Sequence, residues 1–98
     1  MTEEVPAPNE TARDTSFGLA IALLYYRLHP TRIDPLAEGG IGMTFKRGDR
    51  TATLECYNDG DVCVVVSDRR NDQVAWEIDP KDTAAGLERM VAFLQETP

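Results

Sequence analysis

The stretch Val62-Cys63-Val64-Val65-Val66-Ser67 constrains the chain most. Its six residues are almost all β-branched or small and apolar, and acidic turn residues bound them at Asn58-Asp59-Gly60-Asp61 and at Asp68. The run is too short to hold a helix and has the composition of a buried strand, so it predicts the centre of a β-sheet.

The neighbouring segments alternate in step with it. Ile41, Met43 and Phe45 alternate with Gly42, Thr44 and Lys46, and Ala52, Leu54 and Cys56 alternate with Thr51, Thr53, Glu55 and Tyr57. A two-residue Gly48-Asp49 loop of type II′ sets Phe45 opposite Ala52 and Met43 opposite Leu54, which brings both apolar sets to one face. The next turn admits two registers. A two-residue Asp59-Gly60 loop opposes Cys56 to Cys63 and sends Cys63 and Val65 inward. A three-residue loop with a left-handed Gly60 in a bulge opposes Cys56 to Val62 and buries Val62, Val64 and Val66. The second register buries about two more apolar side chains, each worth roughly 1.5 to 3 kcal/mol, and is the one expected. A fourth strand, Gln73 to Ile78, then sets Val74 against Val66, Trp76 against Val64 and Ile78 against Val62.

A helix is expected on either side of this meander. Phe17, Ala20, Ile21, Leu24, Tyr25 and Leu28 recur at three- and four-residue steps, predicting an amphipathic helix from Ser16 to Leu28 with this stripe inward. Pro30 ends it, and His29 to Gly40 reads as a connector whose Ile33 and Leu36 tuck against the core. Asp79 caps the second helix, with Pro80 at its first position and Ala84, Leu87, Val91 and Leu94 inward. Residues 1–13, rich in Pro and Glu, read as a disordered tail, and residues 14–96 as one α+β domain. The predicted architecture is a two-layer sandwich of helix, four-stranded antiparallel meander and helix.

Composition narrows the function. The chain has 98 residues, and 17 carboxylates stand against 10 Lys plus Arg, which disfavours nucleic acid and anionic membranes as partners. No apolar run reaches the roughly 20 residues of a bilayer span, and the acidic start lacks the basic region of a secretory signal, so a cytoplasmic location is expected. Two cysteines in predicted strands do not suggest a disulfide scaffold.

The residue types that carry chemistry are thinly spread. His29 is the only histidine, and Cys56 and Cys63 lie in strands without an electropositive setting, so neither a Cys/His pair nor a zinc site is expected. Asn58-Asp59-Gly60-Asp61 lacks calcium-loop spacing and reads as a turn. No catalytic residue, metal or cofactor is called for.

The run Gly39-Gly40-Ile41-Gly42-Met43-Thr44-Phe45, followed by Ala52-Thr53-Leu54-Glu55-Cys56 and Asn58-Asp59-Gly60, resembles a pattern in small uncharacterised prokaryotic and phage proteins. There a helix and a Pro-rich link lead into a glycine-started strand and a β-meander. The resemblance implies the fold and carries no activity or site residue.

Two surfaces remain as candidates. The face away from the helices would show Thr53, Glu55, Tyr57, Cys63, Val65, Ala75 and Glu77, an apolar middle ringed by polar groups, suited to a protein partner or to a second copy in a homodimer. One end of the sheet would collect Lys46, Arg47, Arg50, Arg69 and Arg70, a candidate contact for an anion or an acidic partner. The expected function is a non-enzymatic protein-interaction or regulatory role through the open face or a sheet edge. The alternative is a small enzyme or ligand-binding domain with a pocket between the 30–40 connector and the sheet, using Tyr25, Tyr26 or His29.

Overall fold

Two tight turns set the sheet. In the computed structural model, which describes residues 6–68 and 72–96, Gly48 and Asp49 join β2 (Gly40–Arg47) to β3 (Arg50–Tyr57), with Arg47 opposite Arg50. Gly48 has φ 60° while Asp49 stays at negative φ, the type II′ pattern. The turn into β4 (Val62–Ser67) takes the bulged form. Gly60 sits at φ 98°, Tyr57 N–H donates to Asp61 O at 2.9 Å, and Cys56 stands opposite Val62. Val62, Val64 and Val66 therefore point inward with Met43, Phe45, Ala52, Leu54 and Cys56. In β5 (Gln73–Glu77), Val74 opposes Val66 and Trp76 opposes Val64, and Ile78 N–H continues the ladder to Val62 O at 2.9 Å.

Among the described residues the sheet has five strands, not four. Residues expected to form a connector include β1 (Arg32–Pro35), antiparallel to β2 with Ile33 opposite Met43, and the order is β1-β2-β3-β4-β5. Pro30 and Pro35 disguise it, because proline argues against a central strand. Pro35, however, ends an edge strand, where a missing N–H costs little. Ile33 does not tuck inward as expected and is 62% exposed.

The first helix also departs from expectation. α1 spans Glu10–Leu24, so it starts inside the segment expected to be a tail. Asn9 caps it by accepting from Ala12 N–H at 2.9 Å. Asn9 is held in turn by the β3–β4 turn: its N–H donates to Asn58 Oδ1 and its Nδ2 to Asn58 O, both at 3.0 Å. The buried stripe is Ala12, Ser16, Leu19 and Leu23, while Phe17, Ile21, Leu24 and Tyr25 of the expected inner stripe face outward. Phe17 to Tyr26 is apolar nearly all round, so periodicity there supports two stripes at once. Ala12, in the segment read as tail, and Ser16, read as the start of the helix, continue the buried stripe and decide between them.

α2 (Thr83–Gln95) is capped by Asp82 accepting from Ala85 N–H at 3.3 Å, not by Asp79, whose Oδ1 accepts from Lys81 N–H at 2.9 Å in the preceding turn. Leu87, Met90, Val91 and Leu94 are buried, whereas Ala84 is exposed. Gly86 has a packing reason: a Cβ there would stand 2.9 Å from Ile78 Cγ1.

Both helices lie on the Phe45/Leu54/Val64 face, α1 over β2 and β3 and α2 mainly over β3 and β4. Helix axes pack 8–10 Å apart and strands about 4.8 Å apart, so two helices cover roughly the middle three of five strands. The helix-side residues of the outer strands lie beyond that cover. Ile33 on β1 is the first and Val74 on β5, 47% exposed, the second.

Candidate interaction surfaces

The sheet face opposite the helices is built by the register. Thr44, Thr53, Val65 and Ala75 form one row across it, and Gly42, Glu55, Cys63 and Glu77 the next. Tyr57 Oη donates to Glu55 Oε1 at 3.1 Å, and the Thr44 and Thr53 hydroxyls lie 3.4 Å apart. Burial, then Glu77, Glu55 and Asp61, raise the Cys63 thiol above its ordinary value. Burial and the adjacent Glu55 carboxylate push Tyr57 up to about 12. On the helix side, burial alone pushes Cys56 up to about 11. Both thiols are free and held in the protonated form, opposite to what a thiolate nucleophile requires.

The expected basic end comes only partly together. Lys46 and Arg47 are exposed on the β2–β3 hairpin. Arg50 is committed elsewhere: its guanidinium lies 4.6 Å above the Phe93 ring and donates to Phe93 O at 3.0 Å and to Glu96 Oε2 at 2.9 Å. That bond set joins β3 to the end of α2 and takes Arg50 out of the anion contact. Arg69 and Arg70 lie outside the described residues.

The 32–35 part of the 30–40 connector is itself hydrogen-bonded into the sheet as its edge strand β1. His29, Tyr25 and Tyr26 are exposed. The acidic turn closes on itself, with Asp59 Oδ1 accepting from Asp61 N–H at 2.9 Å. Among the described residues no group of His, Cys, Asp and Glu is arranged to hold a metal, and no helix is long and apolar enough to cross a membrane.

Comparison with protein-family models, curated proteins and solved structures returned no match.

Two surfaces went unseen in the sequence reading. Along α1 and its C-cap Tyr25, Phe17 is 69% exposed and Tyr25 88%, with Ile21 and Leu24 between them on the same outward face and Glu10 and Asp14 at its N-terminal end. Beside β5, a groove of about 670 Å³ runs between the strand and α2, floored by Val66, Val74 and Trp76 and walled by Arg89, Ala92 and Phe93. The Arg89 guanidinium rests 4.0 Å above the Trp76 ring, and Trp76 Nε1 donates to Gly86 O at 3.3 Å. The signal for the first surface was the second apolar stripe in Phe17 to Tyr25. For the second it was the mismatch in width between five strands and two helices.

Proposed function

We propose that this chain is a non-catalytic protein-interaction domain that inserts the outward face of α1 into an apolar groove on a partner protein. The observation carrying this reading is the alignment of Phe17, Ile21, Leu24 and Tyr25, all exposed, along one face of a helix whose other face is already satisfied by the core. Steps of four and three residues from Phe17 are the anchor spacing of helix-in-groove recognition. At the exposures given, the two aromatic side chains alone present roughly 300 Å², the size of the largest apolar patch on a typical monomer, which is often functional. Glu10 and Asp14, with Arg13 between them, extend the same face with a net negative charge, so the fitting groove carries basic residues at the rim that meets them.

A photo-crosslinking amino acid at Tyr25, in native cell extract, tests this reading. The expected result is one discrete adduct mapping to an apolar, basic-rimmed groove, with yield lowered about thirtyfold or more by Phe17→Ala, a hot-spot-sized loss. Val65→Arg, on the opposite sheet face, leaves the yield unchanged. Adducts equally abundant from the same group placed at Glu88 on α2 would overturn the reading.

A further inference from the structure

The two edges of the sheet are not alike. β1 has four residues, ends in Pro35 and carries the Arg32–Asp34 ion pair, 2.9 Å from Nε to Oδ2, the features that blunt an edge against further pairing. β5 has five residues, Gln73-Val74-Ala75-Trp76-Glu77, with no proline, no Lys or Arg and an unbroken register against β4. Its hydrogen-bond phase follows from the Ile78 N–H to Val62 O bond of 2.9 Å. Pairs at two-residue intervals share one type in an antiparallel ladder, so Val74, Trp76 and Ile78 direct their backbone groups to β4. Gln73, Ala75 and Glu77 direct theirs outward.

We infer that β5 is a dimer edge, pairing antiparallel with β5 of a second copy of this chain about a two-fold axis at Ala75. The strand is self-complementary about that residue. The axis sets Ala75 opposite Ala75, Val74 opposite Trp76, and Gln73 opposite Glu77. It is the one two-fold register that pairs all five residues of the strand, and the outward backbone groups of Gln73, Ala75 and Glu77 then exchange bonds across the seam. On the helix side it forms two valine–tryptophan pairs, a favourable cross-strand combination. On the other side it meets two small alanines and matches each carboxylate with a neutral amide. An axis at Glu77 would instead oppose like charges. In the Ala75 register, Trp76 of the second copy lies beside Val74, over the groove between β5 and α2, and covers the apolar ledge left open by the helix layer. The contact is isologous, so it closes at two copies.

This inference uses a different surface from the α1 reading, and its test separates them. Sedimentation velocity of the full chain, from low micromolar to millimolar, should show a monomer–dimer equilibrium. Hydrogen exchange on the unsubstituted protein should show Ala75 and Glu77 amides protected at high concentration and exchanging freely on dilution. Ala75→Pro removes an N–H that faces away from β4, so the fold should keep its melting temperature within a few degrees while dimerisation weakens at least about tenfold. Phe17→Ala should leave the dimer intact. A chain that is monomeric at millimolar concentration, or a dimer dissociated by Phe17→Ala and untouched by Ala75→Pro, would overturn the inference. Free exchange of the Ala75 amide at all concentrations would do the same.

Discussion

Asn58 does more than turn the chain. Its Oδ1 accepts from Asn9 N–H at 3.0 Å, its Nδ2 donates to Ala7 O at 3.1 Å, and its own N–H donates to Gly39 O at 3.1 Å, so one side chain ties the start of α1 to the end of the central hairpin. Asn58→Ala removes the two side-chain bonds and should destabilise the fold by about 1–3 kcal/mol, read by urea unfolding, with faster hydrogen exchange in the first turn of α1. The cysteines give a second residue-scale expectation. Cys56 faces the helices and is fully buried, while Cys63 is half-buried on the other face, so a thiol reagent should modify Cys63 first. The Cys56 thiol is raised from 9.0 to about 11. A group whose folded value is raised contributes stability that is complete below the unfolded value and is lost as pH rises towards the folded one. Stability should therefore fall between pH 9 and 11, by about 1.4 kcal/mol at pH 10 from this thiol, and Cys56→Ala should flatten that part of the curve.

At the scale of elements, α1 ends in strain. Arg27 sits at φ 59°, and Leu28 N–H reaches back to Leu23 O at 3.2 Å, closing the left-handed helix stop that glycine ordinarily fills. Arg27→Gly should raise stability by up to about 1 kcal/mol, measured as a higher urea midpoint with unchanged slope. What could be read in advance follows a physical line. The register of β2 to β5 was legible because a period of two and two short glycine turns leave few ways to keep Phe45, Leu54 and Val64 on one face. The inward face of α1 was not, because Leu19 and Leu23 compete with Ile21 and Leu24 on equal terms. Only Asn9 and Asn58, 49 residues apart, settle where the helix begins. β1 was hidden by its prolines and by pairing through only four residues. The interaction surfaces were harder still, since the exposure of Phe17 and Val74 depends on where helices stop covering strands. That Thr53, Glu55, Cys63, Val65, Ala75 and Glu77 share one sheet face was legible, because it needs only the register.

Across the whole molecule, each strand from β2 to β5 pairs with the one before it, and the sheet can be laid down in sequence order by local pairing. α1 is the exception. It is made before the sheet, and the β2 and β3 surfaces that cover it and the asparagine that holds its cap come later in the chain, Asn58 49 residues after Asn9. At synthesis rates of about 5–20 residues per second, roughly 2.5 to 10 seconds separate the two. Until the sheet is in place the inner stripe of the helix has no surface to bury it, and a nascent chain of this kind should offer chaperones and partners both apolar stripes of α1 before the sheet claims one of them.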